Sequence, residues 1–139
     1  MSKTNSLKEI YKLQYDTHSP QSGLIRWYNR LIEKLPDELD VTDVSKMLRQ
    51  NILTSLAIDR AIEIFVADPF IGEMYDGELL SLFVMYNAEV IKSKNLHTLA
   101  TALTNLEDKI SQFDWFNPQD KENFNNYLKA LKTYLNKQN

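Results

Sequence analysis

Hydrophobic residues along the chain recur every three or four positions, not every second one, so the pattern predicts helices throughout. Leu7, Ile10, Tyr11 and Leu13 mark a first helix over about residues 6–14, which the His18-Ser19-Pro20 triplet breaks. Ser19 before Pro20 offers a helix start, with the hydroxyl capping free N–H groups and the proline in the first turn. The second helix carries Leu24, Ile25, Trp27, Tyr28, Leu31, Ile32 and Leu35 and is expected to end at Pro36. Asp40-Val41-Thr42-Asp43 offers the next start, with Val44, Met47 and Leu48 on one face. Ile52, Leu53, Leu56, Ala57, Ala61, Ile64 and Phe65 continue the pattern to Asp68-Pro69, and a break near residues 50–54 is compatible with it.

A loop with Gly72 follows and closes at Asp76-Gly77, read as a cap for an apolar helix over 77–92. Leu96, Leu99, Leu103, Leu106, Ile110 and Phe113 step by three and four without interruption, so one continuous helix with a narrow apolar seam is expected. Asn117-Pro118 repeats the cap-then-proline start before a last helix with Phe124, Tyr127, Leu128, Leu131, Tyr134 and Leu135. Short polar links between such segments predict an all-α, single-domain antiparallel bundle of about six to seven helices spanning residues 1–139.

Composition narrows the function classes. With 43% hydrophobic and 25% charged residues the chain has the balance of a folded domain. At 139 residues it buries about two thirds of the surface that its extended form exposes. The absence of cysteine excludes a disulfide scaffold, a thiolate metal site and a cysteine nucleophile. The longest nearly apolar stretch, 79–91, is interrupted by Ser81, Asn87 and Glu89 and is shorter than the roughly 20 residues that a bilayer requires. With no signal-peptide pattern at the polar start, a cytoplasmic protein that does not engage membranes is expected.

The chemical inventory argues against an enzyme. The two histidines, His18 in a turn and His97 on a helix, have no metal-ligand spacing. No GxSxG elbow and no phosphate-cradling glycine loop is present, and the Glu-x-x-His pairing of di-iron bundles is missing, so no catalytic residue, metal or cofactor is expected. Two helices flanking Gln50 could be read as a DNA-binding pair, but the second carries Asp59 and Glu63, whose charges oppose phosphates, so no nucleic-acid partner is expected.

Charge is unevenly placed within a net of −3. Residues 51–90 hold Arg60 against seven acids (Asp59, Glu63, Asp68, Glu73, Asp76, Glu78 and Glu89), a balance of −6. Such a block is either a solvated face or an attractive surface for a basic protein.

A family resemblance bears on that choice. Ser6-Leu7-Lys8-Glu9-Ile10 resembles the opening of the all-helical immunity proteins of bacterial contact-dependent growth inhibition (CDI) systems. Leu24-Ile25, Leu31, Leu39 and Val41-Thr42-Asp43-Val44 are similar to its second block, and Met47-Leu48-Arg49-Gln50-Asn51-Ile52 to the next. Asp68-Pro69-Phe70, then Gly72-Glu73-Met74-Tyr75-Asp76-Gly77-Glu78-Leu79-Leu80, resembles the family's acidic, tyrosine-centred motif. The likeness runs from Ser6 to about Phe83, with nothing assigned in the last two helices.

The resemblance implies a protein that binds the C-terminal toxin domain of a secreted adhesin, several such toxins being ribonucleases. On that reading Asp59, Glu63, Asp68, Glu73, Asp76 and Glu78 face a basic toxin cleft, Asp59 and Glu63 share a helix face, and Tyr75 is the central contact. Plainer roles stay open: Tyr75 and Met74 plugging the loop onto the core, Asp76 capping the next helix, Trp27 in the core. A non-enzymatic helical adaptor or self-associating scaffold is the rival class.

Overall fold

The computed structural model describes residues 5–86, 91 and 93–137, apart from the side chains of 86 and 93. Eight α-helices and one short 3-10 turn account for the elements among them: α1 (Leu7–Tyr11), α2 (Gly23–Leu31), the turn Pro36–Glu38, α3 (Val41–Gln50), α4 (Thr54–Ala67), α5 (Glu78–Tyr86), α6 (Ser93–Thr104), α7 (Leu106–Gln112) and α8 (Pro118–Lys137). No strand occurs among the described residues, and no helix there is long and apolar enough to cross a membrane. The end of the apolar helix expected to reach residue 92 lies largely outside the described residues.

The helices close into a ring. α3 packs on α4, α4 on α6, α6 on α8, α8 on α5 and α5 back on α3, while α4 and α5 also meet across the middle. One cluster of buried side chains runs from Leu7 to Leu135. Most of the periodic residues expected to be buried are in it, including Leu31, Val44, Met47, Phe65, Leu99, Leu103, Phe124 and Leu131. Helix α4 also buries Ile58 and Ile62, which the sequence pattern had not picked out, because neighbours pack on several of its sides.

Four boundaries differ from expectation. Helix α1 stops at Tyr11 because Lys12 turns left-handed, with φ 54°. Helix α2 starts at Gly23, not at Ser19-Pro20: Ser22 accepts from the Ile25 N–H at 3.1 Å. The chain before it is strapped to α2 by Asn29, which accepts from the Asp16 N–H at 2.8 Å and donates to the Asp16 carbonyl at 3.0 Å. That helix ends at Leu31, and Pro36 opens the 3-10 turn instead of terminating α2. The leucine seam is split at Asn105 into α6 and α7. Thr104 donates back to the Ala100 carbonyl at 3.0 Å, a bond that competes at the helix end. The step from Leu103 to Leu106 stays buried across the break, so the spacing gives no warning of it.

Between α3 and α4 the break is real, made by left-handed Asn51 (φ 58°) and Leu53 (φ 45°). Asn117-Pro118 starts α8 as expected, with the Asn117 side chain accepting from the Gln119 N–H at 2.9 Å.

The start of α3 holds a buried charge. Asp43, 4% exposed, accepts from the Trp27 indole at 3.1 Å, the Lys34 ammonium and the Asp40 N–H at 3.2 Å. The Asp40 carboxylate accepts from the Asp43 N–H at 2.9 Å, closing a reciprocal cap. Burial alone would raise the Asp43 carboxyl, but the Lys34, Asp40 and Trp27 bonds outweigh it and hold it below its ordinary value. A carboxyl lowered on folding stabilises the protein above the ordinary 3.8 and loses that effect as pH falls through the lower folded value. Asp43→Asn is expected to cost about 2 kcal/mol at neutral pH, because Lys34 loses its counter-charge. In urea titrations the gap between variant and wild type is expected to shrink below about pH 4.

Candidate functional site

The segment between α4 and α5, residues 68–77, folds on itself around one carboxylate. Glu78, in the first turn of α5 and 2% exposed, accepts from Arg49 Nη1 at 2.7 Å, from the Glu73 N–H at 2.8 Å and from the Met74 N–H at 3.0 Å. The other Arg49 terminal nitrogen, Nη2, binds Glu73, whose second oxygen lies 3.9 Å from Lys46. The arginine on α3 therefore ties together two carboxylates that bracket the loop.

Backbone geometry completes the closure. The Gly77 N–H donates to the Phe70 carbonyl at 2.7 Å, across the neck of the loop. Gly77 has φ 79°, and a Cβ there would lie 2.6 Å from the Phe124 ring of α8. At Gly72 a Cβ would meet the Tyr75 carbonyl oxygen at 2.0 Å. Two of the chain's three glycines are thus required by close approach. Ser81 donates to the Glu78 carbonyl at 2.6 Å, so Tyr75 is the donor in its 2.8 Å bond to Ser81. Burial, with the charges of Glu78 and Asp120 beside it, holds the Tyr75 phenol above its ordinary value.

A second wall faces the loop. The link between α7 and α8 packs Phe113 and Trp115 against Phe70 and Phe124: Phe113 stacks on Phe70 at 4.4 Å between ring centroids, and Trp115 lies 5.4 Å from both Phe70 and Phe124. The Trp115 indole donates to the Ile110 carbonyl at 3.1 Å. Next along the chain, Phe116 turns outward and is 96% exposed, while its N–H donates to the Asp76 carboxylate at 3.2 Å. Between the walls lies an open cleft of about 440 Å³, lined by residues 72–76 on one side and by Phe116, Asn117 and Asp120 on the other. Its ionisable lining is Glu73, Asp76, Asp120 and the Tyr75 phenol, with no lysine or arginine among the described residues that line it.

The seven residues singled out from the sequence separate into three groups. Glu73, Tyr75 and Asp76 line the cleft, though the structure shows Glu73 bound to Arg49 and Asp76 spanning to the second wall. Glu63 and Asp68 are exposed on the last turns of α4 and at its C-terminal cap. The expectation that Glu78 faces outward is corrected: its carboxylate is inside, occupied by Arg49 and two N–H groups. Asp59 and Glu63 do not present a shared acidic face. Asp59 turns to α6, accepting from Asn95 at 2.8 Å with Lys94 at 3.5 Å, while the Glu63 side chain is 61% exposed, with Arg60 3.7 Å away. Glu89 of the acidic block lies outside the described residues.

Sequence reasoning missed Arg49, Phe116 and Asp120. Arg49 binds carboxylates 24 and 29 residues away, a pairing invisible to local pattern. The aromatic run of Phe113, Trp115 and Phe116 was the available signal for the second wall.

No curated protein matches the chain. A family model described as CDI immunity proteins matches residues 9–100, which take in Arg49, the 68–77 loop and Glu78 but end before α7 and α8. Over well more than half its length this helical chain thus carries the family's pattern, and it belongs to the CDI immunity proteins.

Proposed function

We propose that the chain neutralises a nuclease toxin domain in the cytoplasm by covering its basic, phosphate-handling surface. Family membership supports the immunity role and a cognate toxin as partner, and favours both over the adaptor reading. The observation that carries the finer reading is the carboxylate-lined cleft, with no lysine or arginine among its described lining residues, together with exposed Glu63 and Asp68 at the end of α4. A nuclease site that handles phosphates is positive, and a negative partner is steered to it and held over it. The mechanism is binding alone: no step is assigned to a side chain of this protein.

The test mixes the purified protein with its cognate toxin domain and follows RNA cleavage. One equivalent is expected to abolish cleavage, and affinity is expected to fall as salt rises. Glu63→Lys with Asp68→Lys is expected to slow association about tenfold at low salt. A bound toxin that still cleaves overturns occlusion, and a toxin with no nuclease activity overturns the nuclease assignment.

A further inference from the structure

Resting on that reading, we propose that the cleft between residues 72–76 and the α7–α8 link is the specificity-determining part of the toxin interface, and that it takes a lysine or arginine side chain projecting from the toxin. Three observations converge on it.

The first is exposure without looseness. Phe116 is 96% and Met74 72% exposed, the two most exposed large hydrophobics among the described residues, and they stand on opposite walls of one cleft. Neither is on a loose segment. The Met74 N–H is bonded to Glu78, and the Phe116 N–H to Asp76, with Trp115 packed inward beside it. An exposed aromatic whose backbone is already tied down loses less main-chain freedom on binding than one on an untethered loop, which suits it to a dominant interface contact.

The second is charge. Arg49 already engages Glu73, which leaves Asp76 and Asp120 as the carboxylates to which the described residues bring no cation. A cationic side chain entering the cleft would place its charge between them and its aliphatic stem against Met74 and the Phe116 ring, whose face attracts cations. Phosphate, nucleic acid or an anionic membrane would meet repulsion at the same place.

The third is where the two walls come from. The wall at 72–76 lies inside the family match, whereas Phe116 and Asp120 lie beyond residue 100, where it ends. One wall therefore lies within the matched family pattern and the other outside it; discrimination between toxins requires contacts that differ from one immunity protein to another.

The experiment measures affinity of the full chain for the toxin domain by calorimetry. Phe116→Ala is expected to weaken binding about 30-fold or more. Asp120→Lys is expected to weaken it about tenfold or more and to flatten its salt dependence. Leu24→Ala, at a 45% exposed position on α2, is expected to stay within about twofold. Phe116 is on the surface, so the melting curve of Phe116→Ala is expected to overlay that of the wild type, whereas Asp120→Lys replaces the first-turn carboxylate of α8 with a cation and is expected to melt slightly lower while remaining folded at the assay temperature. Wild-type affinity in the Phe116→Ala and Asp120→Lys variants overturns the cleft while leaving the immunity reading standing. Failure of the wild type to bind overturns both. A wild-type dimer that Phe116→Ala dissociates assigns the cleft to a second copy and overturns the proposal.

Discussion

Glu78→Ala is expected to destabilise the protein by about 4 kcal/mol, the largest loss for any single carboxylate among the described residues. The side chain is 2% exposed and accepts three hydrogen bonds, so its removal leaves Arg49 with Glu73 alone and orphans the N–H groups of Glu73 and Met74. Breaking a buried ion pair from one side costs about 3–5 kcal/mol, and each buried donor left unpaired costs more. Glu78→Gln keeps one oxygen for the two N–H groups but turns its NH2 toward Arg49 Nη1, so the charge and that one hydrogen bond are lost and about 2 kcal/mol is expected. Urea unfolding of the two variants side by side measures the difference. Equal stabilities would show that the backbone bonds contribute nothing, and the account of how the loop is organised would fail. Toxin affinity is expected to fall in Glu78→Ala through the disordered loop, and to be largely kept in Glu78→Gln.

Gly77→Ala is expected to cost about 3 kcal/mol. An L-residue at φ 79° carries about 1–2 kcal/mol of backbone strain. The added methyl would also sit 2.6 Å from the Phe124 ring, and that ring cannot yield freely because Phe70 and Trp115 pack against it. Overpacking of this kind costs about 1–3 kcal/mol. Phe124→Leu in the Gly77→Ala background is expected to recover part of the loss, since it removes the clashing ring edge. A double-mutant cycle on chemical stability separates the two contributions: strain at φ 79° persists in the double variant and the clash does not.

Much of the scaffold was legible in the spacing of apolar residues because burial on a helix follows its own period. Leu99, Leu103, Leu106 and Ile110 are buried as their spacing requires, even though Asn105 divides the helix they were assigned to. Caps were legible where side chain and turn coincide, as at Asp40 and Asn117, and misleading at Ser19, where Ser22 competes for the same helix start.

The site was legible only in part. The Asp68-to-Glu78 motif marked the right loop, but composition cannot tell a carboxylate that faces a partner from one that faces an arginine. Charge counting placed Glu78 and Asp59 among outward-facing acids, whereas Arg49, and Lys94 with Asn95, are their neighbours in space. Those cations stand in segments outside the acidic block, so the segment balance of −6 overstates what the surface presents. Glu63 and Asp68 are accordingly the better positions for charge reversal, since a lysine at Glu78 would confront Arg49 in the interior.

The two tryptophans fall at opposite ends of this arrangement. Trp27 is 5% exposed with its indole on Asp43, whereas Trp115 is half-buried against Phe70 and Phe124 on the α7–α8 link, next to Phe116. Their emission therefore reports on different parts of the molecule. A Trp27→Phe protein leaves Trp115 as the single tryptophan, an intrinsic optical gauge of the wall that carries Phe116, excited selectively at the red edge, that follows titration with a partner without any attached dye.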